Sequence, residues 1–278
     1  MPNIKCASFL FAILVVLELP CGAAGVVIEE SDSFDTAQSI LSGLLLDDQI
    51  RYRNQAVSVP ASALPNGADL VAYDSTTTDT FFSVDTTVDL GGLSAGPGDV
   101  VRIDPGGVVS LEIDGAALGL AAGAGIDALT STGDPSLPLA VSFDTTVELP
   151  AVGATTLVAD DEDLVKTNGT LFEAFFDGSA AGLDPAVDLD GAHLDTAEGE
   201  LRLSLDISGQ VGGVTFNDED LLGWNLSSGA WRLVRNGSAT STPDPGADLD
   251  AYSLRVLPAL FADGFESGDT TEWSVEFP

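Results

Sequence analysis

LAVSFDTTVELPAVGATTLVADDEDLVKTNGTLFEAFFDGSAAGLDPAVDLDGAHLD, residues 139–195, is the clearest copy of a unit that recurs along most of the chain. It opens with alternation. Leu139, Val141, Phe143, Val147 and Leu149 share one parity; Ala140, Ser142, Asp144, Thr146 and Glu148 share the other. Successive side chains of a strand point to opposite faces, so the pattern predicts a half-buried β-strand over 139–149. An acidic turn follows (Asp160, Asp161, Glu162, Asp163), then a short apolar piece, Leu164-Val165, and a tight-turn signal at Asn168-Gly169. A third strand is expected over 171–176, stopping at Asp177-Gly178, and a fourth over 188–194. Four strands joined by short turns make an antiparallel meander.

The same order returns on either side. Phe143-Asp144 answers to Val84-Asp85 and Leu205-Asp206; Asp163-Leu164 to Asp99-Val100 and Asp220-Leu221. Asp177-Gly178 answers to Asp114-Gly115 and Asn236-Gly237; Leu189-Asp190 to Ile126-Asp127 and Leu249-Asp250. These anchors lie 57 to 64 residues apart. A shorter copy at the front carries Phe34-Asp35, Asp47-Asp48 and Asp69-Leu70. Its stretch SILSGLLL, residues 39–46, is read as a helical turn or a weak strand. The units are placed at 32–74, 78–131, 139–195 and 200–256, within an all-β repeat domain of residues 25–259. One such sheet cannot bury both its faces, and radial closure hides faces and edges together. The expected fold is therefore all-β: four repeated four-stranded antiparallel sheets in a propeller-like array, with tandem β-sandwiches as the alternative.

Composition narrows the partners. The chain has 278 residues, 44 acidic against 9 basic, and a formal net charge of -35. Such a surface repels nucleic acid and anionic membranes and attracts cations. A hydrophobic content of 45%, arranged with a strand period, argues against disorder. Residues 1–24 read as a signal peptide: an apolar run over 9–17 precedes the small-residue region Cys21-Gly22-Ala23-Ala24. Lipidation of Cys21 is the lesser alternative, because Glu18-Leu19-Pro20 stand where small residues belong. Cleavage after Ala23 removes both cysteines and with them any disulfide or thiolate chemistry. No later run is long and apolar enough to span a bilayer as a helix.

The tail, residues 260–278, departs from the repeat. Its Phe261, Asp263, Gly264, Phe265, Glu266, Ser267, Gly268, Asp269 and Trp273 resemble a C-terminal segment of exported proteins of Gram-negative bacteria. Within 32–256 the elements DTTV, DEDLV, FFDGSAAGL and DLDA resemble acidic repeats of secreted bacterial proteins. These resemblances imply a secreted or cell-surface location and an extracellular ligand or surface partner; they imply no activity.

Calcium is the candidate cofactor, weighed against a diffuse cation dependence in which ions only screen the self-repulsion of the acidic surface. Hard cations take several oxygen ligands, which turn carboxylates and nearby carbonyls supply. The candidate ligands are Asp160, Asp161, Asp163, Asp188, Asp190, Asp218, Asp220, Asp248 and Asp250, which recur at matching places. The competing reading is that they cap turns and solvate the surface. Paired carboxylates also suggest a secreted carbohydrate-active or other hydrolase. These acids recur in register, however, whereas catalytic residues belong to one unit, so the chain is read as a binding or structural protein with no catalytic residue. His193 is the only histidine; Ser253 occupies its place in the last unit, and no Gly-x-Ser-x-Gly elbow accompanies it. Trp231 is expected in the core, and Arg232 and Arg235 in cross-strand pairs with carboxylates.

Overall fold

The repeat resolves into four-stranded sheets, each accompanied by a two-stranded hairpin. A computed structural model describes residues 27–35, 38–40, 43–45, 49–52, 55–59, 64–65, 68–239 and 247–257. The first group of strands is β1 (Val27–Ser33), β2 (Gln38–Ile40), β3 (Gly43–Leu45), β4 (Gln49–Tyr52) and β5 (Gln55–Ser58). The second is β6 (Leu70–Ser75), β7 (Thr80–Val84), β8 (Val88–Asp89), β9 (Ser94–Ala95), β10 (Val100–Ile103) and β11 (Val109–Ile113). The third is β12 (Leu129–Ser131), β13 (Leu139–Val141), β14 (Val147–Pro150), β15 (Thr156–Ala159), β16 (Leu164–Thr167) and β17 (Phe172–Phe176). The fourth is β18 (Leu189–Asp195), β19 (Glu200–Leu205), β20 (Gly209–Val211), β21 (Val214–Phe216), β22 (Leu221–Asn225) and β23 (Trp231–Arg235), and β24 (Ala251–Leu257) ends the series. The sheets run β24-β1-β4-β5, β6-β7-β10-β11, β12-β13-β16-β17 and β18-β19-β22-β23, all antiparallel; the pairs β2-β3, β8-β9, β14-β15 and β20-β21 are the hairpins.

The innermost strands β24, β6, β12 and β18 pack against one another in a closed ring. Four apolar cores lie between successive sheets. Phe82 and Val101 meet Ile50 and Ala251 in one; Phe81 and Ile113 meet Phe143 and Phe172 in the next. Leu164 and Phe176 meet Leu189 and Leu201 in the third; Leu221 meets Phe34, Tyr252 and Leu254 in the fourth. A pair of sandwiches would bury two cores. Four cores joined cyclically make a four-bladed β-propeller, and the sandwich alternative falls.

The blades and the sequence units are offset by one strand. The unit 139–195 supplies the second, third and fourth strands of one blade and the innermost strand of the next. The meander expected within one unit therefore crosses a blade junction. The consequence is at the ends: β24 pairs with β1 from Val27↔Leu257 to Ser33↔Ala251, so both ends of the described chain build the first blade. This pairing closes the ring and removes an open edge.

The long strand expected over 139–149 is two strands. The chain bends at Ser142 to Thr146, and β14 leaves the blade for the hairpin. Both parities are buried in the first part, Ala140 and Ser142 as fully as Leu139 and Val141, because a blade is covered on both faces. The stretch 39–46 supplies the hairpin β2-β3 rather than a helical turn. Single helical turns, α1 (Gly115–Leu118) and α2 (Gly178–Ala181), follow the Asp-Gly signals; Asp114 and Asp177 cap them by accepting from Ala117 and Ala180 N–H. The signal-peptide region 1–24 and the tail 260–278 lie outside the described residues. No helix among the described residues is long and apolar enough to cross a membrane.

Candidate functional site: the propeller axis

Four polar residues occupy the same register position on the four innermost strands: Asp74 on β6, Thr130 on β12, His193 on β18 and Ser253 on β24. All four are buried. Each accepts the N–H one residue further along the next blade's innermost strand. Asp74 Oδ2 accepts from Ser131 at 2.7 Å, Thr130 Oγ1 from Leu194 at 2.9 Å, His193 Nδ1 from Leu254 at 3.3 Å, and Ser253 Oγ from Ser75 at 3.2 Å. The bonds run once around the axis and meet their start. The ring satisfies polar backbone that the ladders leave at the centre. Asp74 is its hub, because Ser253 Oγ also donates to Asp74 Oδ1 at 2.6 Å and His193 Nδ1 lies 3.8 Å from the same oxygen. Burial alone would push the Asp74 carboxyl up; the imidazole of His193 close by, when it carries its charge, and hydrogen bonds from Ser131 and Ser253 hold it below the usual carboxylate range.

Toward the N-terminal ends of the same strands, about 10 Å away by strand rise, the axis is acidic. Three positions before the ring stand Asp127, Asp190 and Asp250, with Val71 on the remaining blade. Two residues earlier on the following blade stand Asp188, Asp248 and Asp69, with Gly125 in the fourth place. Each of the first set has one of the second as its leading like-charge neighbour: Asp127 has Asp188, Asp190 has Asp248, and Asp250 has Asp69. Three of the four junctions thus hold a carboxylate pair, and the fourth junction, Val71 to Gly125, lacks both members. A register shift between Leu189 and Gly191 leaves Asp190 outside the β18-β19 ladder, as a bulge residue.

Burial first, and then neighbouring carboxylates, raise these groups. Asp127 is pushed up to about 8, Asp190 to about 10 and Asp250 to about 9. Asp188 and Asp248 rise to about 7, their hydrogen bonds from Leu189 and Leu249 N–H opposing the burial. The leading charges acting on the five are other carboxylates. Among the described residues, Asp190 Oδ2 and Asp250 Oδ2 are buried with no hydrogen-bond partner. Among the described residues, no group of three or more His, Cys, Asp or Glu side chains is arranged to hold a metal ion.

The remaining candidates sit in the turns before the third strands. Asp163 accepts from Gly178 N–H at 3.0 Å and Asp160 N–H at 3.2 Å; Asp220 accepts from Gly237 at 2.8 Å and Asn217 at 2.9 Å. Asp99 does the same for Gly115 and Gly96, both at 2.8 Å. These carboxylates brace a turn against the strand that follows. Asp160 accepts from Thr146 Oγ1 at 2.9 Å. The Asp161 carbonyl accepts from Ser142 Oγ at 3.0 Å, and the Asp218 carboxyl is raised by burial beside Glu219. The structure therefore gathers Asp188, Asp190, Asp248 and Asp250 at the axis and leaves Asp160, Asp161, Asp163, Asp218 and Asp220 in the turns.

Arg232 forks onto Glu200 at 2.6 and 2.7 Å across Gly223, and Arg235 reaches Asp32 of the first blade at 2.7 Å. Trp231 is only partly buried. It packs tilted against Trp224 and edge-on to Phe176, and its Nε1 donates to the Ala181 carbonyl at 2.9 Å. The reading of sequence missed Asp74, Thr130, Asp69 and Asp127 as axial residues. The match of His193 with Ser253 was the available signal.

No family model matches the chain, and no curated protein matches it. Among solved structures it is similar to the extracellular domain of the one component system BT4673 from B. thetaiotaomicron, at 6% identity and a TM-score of 0.37. The match covers 88% of this chain and 37% of that one.

Proposed function

We propose that this chain is an exported acidic β-propeller with a binding or structural role outside the cell, and that calcium occupies the acidic end of its axis. One observation carries the reading: three junctions of the ring hold carboxylate pairs in the same register, and among the described residues Asp190 Oδ2 and Asp250 Oδ2 are buried with no hydrogen-bond partner. Buried like charges of this kind end in protonation or in a counter-ion. A divalent ion between Asp190 and Asp248, or between Asp250 and Asp69, completes its shell with backbone carbonyls and water. The turn carboxylates take no part, since Asp163 and Asp220 already satisfy both oxygens with N–H donors. Repetition of the pair favours binding over hydrolysis, which needs one acid and one base in distinct surroundings.

The test is thermal unfolding of the full chain in calcium, in magnesium and in chelator at one ionic strength. A saturable rise in Tm with calcium, lost in Asp190→Asn/Asp250→Asn, supports the site. Equal small shifts with both cations, unchanged by those substitutions, reduce the effect to screening of the net charge and end the proposal.

A further inference from the structure

We propose that His193 is a proton-operated latch on the closing strand: neutral, its Nδ1 holds the Leu254 N–H; protonated, it releases that N–H and turns to Asp74. An imidazole nitrogen that accepts from an N–H must carry a lone pair, so the neutral ring bears its proton on Nε2. Leu254 donates to Nδ1 at 3.3 Å. A solvent proton taken up at Nδ1 makes both ring nitrogens donors, and the Leu254 N–H then has no acceptor there. Asp74 Oδ1, 3.8 Å from Nδ1, is the nearest carboxylate to receive the new N–H. Of the four acceptors in the axial ring, only the imidazole becomes a donor at both its nitrogens on taking up one proton. Asp74 is placed to receive it by its other two donors, Ser131 N–H at 2.7 Å and Ser253 Oγ at 2.6 Å.

The position gives the exchange its consequence. Leu254 lies on β24, whose pairing with β1 closes the propeller. The Leu254 bond ties β24 to the fourth blade. Access is open, because His193 lines an axial cavity of about 320 Å³ together with Asp74, Ser131, Asp195 and Arg255. The charged and titratable groups facing the ring are few. β6 brings Asp74. β24 brings Tyr252, edge-on at 6.0 Å, and Arg255 at the cavity wall. β19 brings Arg202, the register partner of His193, engaged with Asp195 at 2.7 Å and with Tyr252 Oη at 3.2 Å. His193's own strand brings Asp195, while β12 brings only the hydroxyls of Thr130 and Ser131.

The test uses the full chain, isotope-labelled, in chelator, between about pH 8 and pH 5. With one histidine, the imidazole nitrogen shifts need no assignment. The expected result is a neutral ring protonated on Nε2, and an amide-exchange protection factor at Leu254 that falls about tenfold as the ring titrates, the size of one net hydrogen bond. Leu194, held in the same way by Thr130, is the internal reference and keeps its protection. In His193→Asn the side-chain oxygen replaces Nδ1 as a non-titrating acceptor, and Leu254 stays protected throughout. The inference is overturned by a neutral ring protonated on Nδ1, by a ring that does not titrate in this range, or by Leu254 protection that holds steady or falls equally at Leu194. If His193→Asn does not fold, the unmodified chain decides through its nitrogen shifts and the contrast between Leu254 and Leu194.

Discussion

Ser253 Oγ donates to Asp74 Oδ1 at 2.6 Å, joining the last described strand to the neighbouring innermost strand of the second blade. The other Asp74 oxygen holds the Ser131 N–H, so one carboxylate links three blades. Asp74→Ala leaves a buried N–H and a buried hydroxyl without an acceptor and is expected to cost about 2–4 kcal/mol. Asp74→Asn keeps an acceptor and is expected to cost less. The folded-state pKa of Asp74 lies below its unfolded value, so its stabilisation is present above the unfolded pKa and fades as pH falls through the folded one. Urea unfolding at a series of pH values should therefore show a shallower acid limb in Asp74→Asn.

The repeat made the fold legible and hid its phase. Four copies of strand, acidic turn, strand, Asp-Gly and Leu-Asp strand required four equivalent sheets. Alternation in LAVSFDTTVEL suggested one half-exposed strand, because a blade covered on both faces still places its largest side chains on one parity. Nothing local marks the Leu189–Asp195 strand as part of the next blade. Only the pairing of β24 with β1, between segments far apart in sequence, sets that phase. The carboxylate candidates were legible as recurring acids, but a bracing Asp163 and an axial Asp190 differ only in which donors surround them. The axial ring was the hardest to see, since Asp74, Thr130, His193 and Ser253 share a position and a hydrogen-bonding role without sharing a side chain.

Gly178 illustrates a residue whose role is proximity. A Cβ there would press into the Glu162 carbonyl and side chain, and Gly237 stands against Glu219 in the same way. That closeness lets Gly178 N–H reach Asp163 Oδ1. Gly178→Ala is expected to destabilise by about 2–4 kcal/mol through overpacking and loss of this brace. Gly153→Ala, at an open position on the hairpin β14-β15 with φ of 73°, is the comparison for left-handed strain alone and should cost about 1 kcal/mol.

Removal of β24 tests closure. A chain ending at Asp250 loses the partner of β1, the ring acceptor Ser253, and Tyr252 and Leu254 from the fourth core. The expected outcome is loss of the single cooperative transition in thermal unfolding, with binding of 8-anilinonaphthalene-1-sulfonate to the exposed faces. A peptide of residues 251–257 added in trans should bind by strand addition and restore part of the transition. A truncated chain that unfolds as sharply as the full one would show that closure contributes nothing to cooperativity.

The acidic end gives a pH dependence of unusual sign. Asp127, Asp190 and Asp250 titrate at about 8, 10 and 9 in the folded chain, far above the usual carboxylate range. Between the unfolded and folded values the folded state holds more protons than the unfolded one. Stability from these groups is therefore full below about pH 4 and declines as pH rises through the folded values. In chelator, the unfolding midpoint should fall steadily from mildly acidic to alkaline pH, until Asp74 and other stabilised carboxylates set the acid limit. At pH 8 Asp190 and Asp250 are protonated in the folded chain and ionised in the unfolded one, so each must take up a proton to fold, whereas the amide of Asp190→Asn or Asp250→Asn needs none. Each substitution should stabilise the cation-free chain at pH 8 by about 1–3 kcal/mol, and by progressively less as pH falls toward the unfolded pKa. Calcium should erase the alkaline decline in the unmodified chain, since a bound ion replaces the protons, and leave it unchanged in the double variant. A midpoint that rises with pH in chelator would mean that these carboxylates are solvated and ionised in the folded state, and the axial site would lose its basis.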